Sequence, residues 1–573
     1  MITALAVAAP MPLLALQAAS ADVARQGVQH VAWTALGPAL APAVAALVLL
    51  AVDAVVGPRR GGGWWRDAVA MTGLLAGLLL VAPLGGEARA TFCASPSSGE
   101  GVSANVACGY VASPLTLALQ VLVLSAAVIC LLLAVGQRHA PTGGSSGAPR
   151  TEHHLLLLAT TAGACVLAGA RDYATLAVAF ETASLPVIGL VALRRDGRGA
   201  EAGLKLLLTA VLSFALLVLG IALVYASTGS LHLAAPVSAA LPDLDLLHGV
   251  GLALAVAGIA FKLSLVPFHA WTPDTYAGAP APIAAFLATV SKVAGLTAIV
   301  LVLGVGAPDL GPSWSRLAGA LAAVTMTVGN LVALRQRTAV RLLAWSTVAQ
   351  AGWVVLPLAG AVTPHRVPAA ATASIGYLLA YVVATLTAFA VVVVLAQTHP
   401  DGDRHPLAAY DGLLRTRPAL AAVLGFALLC LAGLPPGVMG LVAKVVALGP
   451  VVAAHAWVLT AVAVLNVVLG VAVYLRWGAR LVASVPDVEP SAEPATARQP
   501  VGGATPSDDV SWVPNPAGAA GGSLPGGTAT SERALGADVR TAISVPHGVA
   551  LLLGIAGCVV LSLLPALVAN PLG

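Results

Sequence analysis

Apolar residues run along this chain in blocks long enough to cross a bilayer, and polar residues collect in the breaks between them. The blocks lie near 33–56, 67–84, 112–135, 153–170, 173–194, 203–226, 246–267, 281–305, 313–333, 339–360, 372–397, 418–446, 451–475 and 546–568. About 30 Å of hydrocarbon takes about 20 residues of helix to cross. The pattern therefore predicts an all-α polytopic membrane protein of about 14 transmembrane helices, numbered as spans in chain order. Helices are required because hydrocarbon offers no partner to an open backbone. One connector is long: 481–545 is rich in Pro, Gly, Ser, Ala and Asp and reads as a disordered cytoplasmic loop before the last span, 546–573.

Composition excludes a soluble protein. Apolar residues make up 59% of the chain and charged residues 9%, against about a quarter charged in soluble domains. The net charge of +4 is scattered, with no basic stripe to suit a nucleic acid. Six cysteines show no C-x-x-C pair, so no metal or iron–sulfur site is expected. Cys130, Cys165, Cys430 and Cys558 fall inside spans and read as packing residues, whereas Cys93 and Cys108 share a polar loop and could pair in an oxidising compartment. The first 20 residues are apolar but lack a basic start and are interrupted by Pro10 and Pro12, so they read as an extension ahead of spans 1–3, within 1–152.

Arginines set the orientation, because basic loops stay cytoplasmic. Loops after odd-numbered spans hold nineteen arginines and loops after even-numbered spans hold four. Both termini and the Cys93/Cys108 loop are thereby expected outside the cytoplasm, with the chain in a bacterial inner (plasma) membrane.

The four lysines behave differently from the arginines. Lys205, Lys262, Lys292 and Lys444 are the only lysines, and each falls in a predicted span. A charge at mid-bilayer costs about 2.5–3.5 kcal/mol or more, so such residues face a protein interior or a wet cavity. A lysine can release its proton there and an arginine cannot, which suits a proton relay. Glu181 is the one carboxylate near mid-span, and could pair with a lysine such as Lys205 at the start of the next helix. The competing reading is a snorkelling or static ion pair, which fits Lys205 near its loop far better than Lys292. His455, early in the thirteenth span, reads as a packing histidine more readily than a relay, and His269 as a helix-end residue beside Trp271.

Prolines mark where helices open. Pro267 follows Lys262 by five residues, and Pro435 and Pro436 precede Lys444. A mid-span proline frees backbone groups that only a protein-lined or hydrated cavity can satisfy. Two interrupted spans, each with a lysine and five spans apart, point to related five-helix halves at 153–305 (spans 4–8) and 313–475 (spans 9–13), the pattern of transport sites.

The stretch P-F-H-A-W-T-P-D-T-Y-A-G-A-P-A-P-I-A-A-F-L-A-T-V-S-K-V-A-G at 267–295 resembles the signature of subunit N of respiratory complex I, in the wider family of subunits L and M and Mrp-type antiporter subunits. E-T-A-S-L-P at 181–186, E-A-G-L-K at 201–205, G-N-L-V-A-L-R-Q at 329–336 and L-A-G-L-P-P at 431–436 extend the resemblance over about 160–480. It implies inverted five-helix repeats with broken helices, external termini, and proton translocation through Glu181, Lys205, Lys262, Lys292 and Lys444. It also implies no cofactor in this chain, with NADH, FMN, iron–sulfur clusters and quinone held by partner subunits, and membrane-arm neighbours L, M, J and K in the lipid bilayer. The sequence departs from the family pattern at Gln350, where a histidine is usual, and at G-L-V-A-K-V around Lys444. A subunit of an Mrp-type antiporter or membrane-bound hydrogenase, or a paralogue in a reduced complex I lacking the NADH module, shares these features.

Overall fold

In the computed structural model, residues 31–56, 63–85, 88–93, 108–138, 150–235, 243–304, 311–397, 406–483 and 543–572 are described. Each apolar block within them becomes a helix. Twelve described helices are long and apolar enough to cross a membrane: Trp33–Val56, Trp64–Leu84, Pro114–Gln137, Tyr173–Ala192, Gly197–Thr228, Leu244–Leu263, Ala281–Gly304, Ser313–Ala333, Ala339–Gly360, Pro364–Ala396, Trp457–Val482 and Val545–Leu563. Two further spans complete the expected fourteen. The fourth, Arg150–Gly169, carries polar residues in its first turn, and the twelfth is divided into Pro418–Ala432 and Val438–Ala453.

Helix ends follow local chemistry. Asp172 and Asp196 each accept a backbone N–H three residues on, at 2.7 Å, and so start the fifth and sixth spans. Burial alone would raise the Asp196 carboxyl, but the Gly199 N–H and the Arg194 guanidinium outweigh it and hold it below the usual carboxylate range. Gly229, at φ 69°, ends the sixth span in the left-handed region that glycine enters without a side-chain clash.

Among the described residues three spans are broken rather than two. The seventh stops at Leu263 and resumes as Trp271–Gly278, with Pro267 in the gap, and the twelfth opens at 433–437 around Pro435 and Pro436. The fifth also breaks, into Tyr173–Thr182 and Leu185–Ala192, because Pro186 has no N–H for the Thr182 carbonyl. Sequence boundaries shift accordingly near the end: the twelfth span runs through Pro450 to Ala453. His455 therefore sits in an exposed turn at φ 56°, not early in the thirteenth span, which begins at Trp457.

Packing repeats with the period the prolines suggested. The fourth span packs against the eighth and the ninth against the thirteenth, while the sixth lies along the seventh and the eleventh along both halves of the twelfth. Five crossings are an odd number, so a second set of five enters from the opposite face. The eighth and tenth spans occupy the centre, with 94% of their most apolar stretch buried against 28% for the first, sixth and thirteenth. Those outer spans leave Leu208, Leu212, Leu465 and Val468 for lipid.

Between the second and third spans lies a hairpin that the helical pattern did not reveal. Arg89–Cys93 pairs antiparallel with Cys108–Ala112 in a register that sets Cys93 opposite Cys108, and the two form a disulfide. The connector expected to be disordered falls, from Ser484 to Ala542, outside the described residues, as do residues 1–30.

A membrane-impermeant maleimide applied from the extracytoplasmic side is expected to label Cys93 and Cys108 only after reduction, while buried Cys130, Cys165, Cys430 and Cys558 stay unlabelled. Labelling without reductant would contradict the bond. Labelling from the cytoplasmic side alone would contradict the orientation drawn from the arginines.

Candidate functional site

The break in the fifth span builds the first lysine site. Ser184 turns its hydroxyl back to the Phe180 carbonyl at 2.6 Å, leaving the Ala183 carbonyl exposed to a donor from another helix. Lys262, in the last turn before the break in the seventh span, supplies it: Nζ donates to the Ala183 oxygen at 2.9 Å and to Ser184 Oγ at 2.7 Å. The same ammonium stands 5.7 Å from the centre of the Phe180 ring. Glu181 lies one turn away and interacts with the Lys262 charge, while its Oε2 is buried without a hydrogen-bond partner among the described residues. A small cavity of about 30 Å³, lined by Phe180, Ser184, Thr209, Lys262, Trp271 and Ser291, adjoins the ammonium. That is room for a water or two.

The break in the seventh span builds the second. Ending the helix at Leu263 strips the Lys262 carbonyl of its helical donor, and Lys292 from the eighth span takes that place at 3.1 Å. Lys292 also donates to Ser264 Oγ, which in turn meets Thr272 Oγ1 across the gap, and its Nζ lies 4.9 Å from the centre of the Trp271 ring. Trp271 is fixed by its own N–H, which donates to the Phe261 carbonyl at 2.8 Å. Only 2% of Lys292 is exposed, which removes the snorkelling reading. Pro267 lies in this gap beside His269, whose ring packs 5.3 Å from that of Trp345.

Lys444 repeats the principle with different wiring. Gly433, at φ 76°, turns the chain out of the helix and exposes the carbonyls of Leu431 and Ala432. Lys444, from the second half of the same span, donates to both, at 3.2 Å to Leu431, and stands 5.9 Å from the centre of the Trp353 ring. Trp353 stacks on Tyr377 at 5.7 Å, and Tyr377 donates to Gln350 Oε1. Gln350 Nε2 donates to Tyr474 at 2.8 Å. Gln350 thus occupies a fully buried polar junction of the tenth, eleventh and thirteenth spans, bonded on both ends of its amide.

The halves meet through Tyr381 of the eleventh span. Its hydroxyl donates to the Ala288 carbonyl, one turn before Lys292, at 2.7 Å and lies 3.0 Å from Thr347 Oγ1. Polar groups therefore run from the Lys292 helix to the tenth span that carries Gln350.

Lys205 stands apart from Glu181, the partner its position suggested. Its Nζ reaches Glu201 at 2.7 Å and Asp274 at 3.0 Å, its side chain is 42% exposed, and Arg341 joins Asp274 at 3.1 Å. The reason is directional: the sixth span presents Lys205 to the short helix Trp271–Gly278, not to the fifth. These charges, with Arg198, line a cleft of about 360 Å³. Sequence reasoning isolated the lysines but missed Ser184, Ser264, Asp274, Tyr377, Tyr381 and Tyr474. Ser264, two residues past Lys262 and ahead of Pro267, carried a local signal; the others are brought in by packing.

Comparison with known proteins agrees with this architecture. The family described as NADH:quinone oxidoreductase/Mrp antiporter, TM, matches residues 170–470. NADH-quinone oxidoreductase subunit N 2 of Streptomyces griseus is 44% identical over 464 residues, covering 79% of this chain and 83% of that protein. Subunit N of Salinispora tropica is 40% identical over 462 residues, covering 78% and 85%. Among solved structures, a chain of respiratory complex I from Thermus thermophilus superposes with a TM-score of 0.66 at 28% identity, covering 93% of this chain and 98% of that one. A chain of the Mrp complex from Dietzia sp. shares the fold, with a TM-score of 0.68 at 20% identity over 94% and 95%. The chain belongs to the subunit N family of NADH-quinone oxidoreductase, within the NADH:quinone oxidoreductase/Mrp antiporter transmembrane proteins.

Proposed function

We propose that this chain is a proton-translocating membrane-arm subunit of an NADH-quinone oxidoreductase, moving protons as electrons pass from NADH to quinone elsewhere in the complex. The observation that carries the reading is the seating of Lys262, Lys292 and Lys444 on backbone carbonyls opened at helix breaks. Each ammonium is held in place by groups that accept its protons as hydrogen bonds, and each belongs to the residue type that can give a proton up. The chain works as part of a multi-subunit enzyme and carries no redox centre. NADH, FMN, iron–sulfur clusters and quinone reside in partner subunits, and the antiporter-like subunits L and M and the small subunits J and K are its neighbours.

Within the chain, 153–305 and 313–475 act as the two repeats, with the termini on the extracytoplasmic side. Hydration of the breaks lets Lys262 and Lys292 exchange protons with one side and Lys444 with the other. Glu181 biases the charge state of Lys262, the lysine whose field it feels, and so transmits the state of a neighbouring subunit. Lys205, Asp274 and Arg341 form a charged mouth at the arginine-rich ends of their helices. Gln350 cannot titrate, so in the second half protons pass by way of Tyr377, Tyr474 and water rather than through a histidine.

Purification of the tagged chain from its native membrane is expected to recover quinone-site and iron–sulfur subunits; recovery of small antiporter subunits alone would contradict the reading. In that complex, Lys292→Ala leaves the Lys262 carbonyl without its donor, a loss of about 1–3 kcal/mol that a large assembly tolerates. Pumping in vesicles is expected to disappear while the complex is recovered intact. A variant that pumps normally removes Lys292 from the path.

Asp274→Asn tests the mouth. Its partners are partly exposed, so assembly is expected to be unchanged. Pumping should fall by about tenfold, the scale on which one neighbouring charge alters a protonation balance. Unaltered pumping would make the cluster a surface ion pair only.

A further inference from the structure

The small cavity beside Lys262 is lined by a selected kind of polar group. It lies among the fifth, sixth, seventh and eighth spans, and Ser184, Thr209 and Ser213 face it together with the lysine. All three hydroxyls have spent their hydrogens on backbone carbonyls. Ser184 donates to Phe180 at 2.6 Å, Thr209 to Lys205 at 2.9 Å and Leu206 at 3.1 Å, and Ser213 to Gly258 at 2.6 Å. A hydroxyl whose hydrogen is committed offers only lone pairs to a further group. Trp271 also lines the cavity but adds no donor, because its N–H goes to the Phe261 carbonyl.

Backbone packing sets this lining. A Cβ on Gly258 of the seventh span would stand 2.6 Å from the Ser213 carbonyl oxygen, so the sixth span comes close enough for the Ser213 hydroxyl to reach the Gly258 carbonyl. With that contact fixed, Leu206, Thr209, Ala210 and Ser213 face the cavity as one stripe at helical spacing.

Lys262 completes the set. An ammonium has three hydrogens, and among the described residues two of them go to the Ala183 carbonyl and Ser184 Oγ. One hydrogen is left for the cavity. A water placed there accepts that hydrogen and donates its own two to Thr209 Oγ1 and Ser213 Oγ, which makes the three bonds usual for a buried water. The cavity volume of about 30 Å³ exceeds the roughly 10–15 Å³ that one water requires.

The same two elements connect this cavity to the charged cleft. Leu206 and Thr209 of the sixth span and Trp271 of the short helix line the cavity, while Lys205 and Asp274 of those elements line the cleft. About one helical turn, 5.4 Å, separates the two sets on each element.

We propose that Thr209 and Ser213 are positioning residues that hold the water through which Lys262 exchanges its proton with the charged cleft. The proposal rests on the reading of the lysines as proton carriers. In the exchange a Lys262 N–H bond breaks and an O–H bond forms on the water, with no electrons gained or lost. The hydronium so formed has three hydrogens, and it meets three acceptors: Thr209 Oγ1, Ser213 Oγ and the lone pair left on Lys262 Nζ. The neutral amine keeps its two remaining hydrogens on Ala183 and Ser184. The helix break therefore stays capped while the charge sits on the water. Release of a proton toward the cleft returns the water to neutral, and the reverse sequence reloads the lysine.

The test uses inside-out vesicles containing the assembled complex, with the ratio of NADH-driven proton uptake to NADH oxidation as the readout. Thr209→Val keeps the shape of the side chain and removes its acceptor, Ser213→Ala removes the second acceptor, and Thr209→Ser returns the oxygen. Thr209→Val and Ser213→Ala are expected to assemble at the level of the unaltered complex and to lower the ratio by about tenfold, the scale of one lost hydrogen bond to a charged group. Thr209→Ser is expected to recover it. If Thr209→Val alone fails to assemble, the ratio in Ser213→Ala decides. Lys292→Ala is run alongside. If it abolishes uptake while Thr209→Val and Ser213→Ala pump normally, the water site is wrong and the lysine reading stands. If Lys292→Ala pumps normally, the lysine reading has failed and the water site falls with it. A Thr209→Ser ratio as low as that of Thr209→Val, or loss of assembly in both Thr209→Val and Ser213→Ala, would make these side chains packing contacts between spans and overturn the proposal.

Discussion

A carbonyl opened inside hydrocarbon must find a donor, and in this chain the donor is repeatedly a lysine. Breaking the fifth, seventh and twelfth spans frees Ala183, Lys262, Leu431 and Ala432, and the ammoniums of Lys262, Lys292 and Lys444 take them up. The arrangement is reciprocal. The breaks need the lysines to satisfy the backbone, and the lysines need the breaks to survive burial. At the C-terminal ends of the seventh and twelfth half-helices the backbone dipole adds its negative end to the attraction. One interaction thus stabilises an interrupted helix and places a lysine inside the membrane at the same point.

Reuse of that interaction does not make the two halves equal. In the first half the capping lysine comes from the next span, and a second lysine sits on the helix that breaks. In the second half the twelfth span caps itself, Lys444 reaching back over Gly433 to its own first segment. A histidine is absent from the tenth span, and Gln350 instead ties Tyr377 to Tyr474. Tyrosine hydroxyls and an amide can pass a proton only along hydrogen bonds that reorient. The second half therefore holds one buried lysine beside a network of tyrosines and an amide, and the first holds two lysines and a glutamate.

Much of this was legible from the residues because the bilayer penalises charge so heavily. Arginines confined to loops, termini and helix ends and lysines confined to spans separated orientation from chemistry, and Pro267, Pro435 and Pro436 announced two of the breaks. The third break was present in E-T-A-S-L-P but hidden, since Pro186 near the start of a half-helix looks like any helix-compatible proline. Partners were the least legible feature. Asp274 lies 69 positions from Lys205, and Tyr381 lies 93 from the Ala288 carbonyl it binds. Neither spacing leaves a local trace. Cys93 and Cys108 showed a shared loop, while the pairing followed from a hairpin register that a short polar segment does not display.

The central claim is that a lysine ammonium both caps the broken helix and titrates. Lys444→Arg separates the two roles, since a guanidinium can still donate to Leu431 and Ala432 but keeps its proton at accessible pH. The decisive measurement is the number of protons pumped per electron pair by the intact complex carrying that substitution. The account predicts a complex that assembles and oxidises NADH with a lowered stoichiometry. An unchanged stoichiometry would show that the charge at this position is structural and that protons take another route.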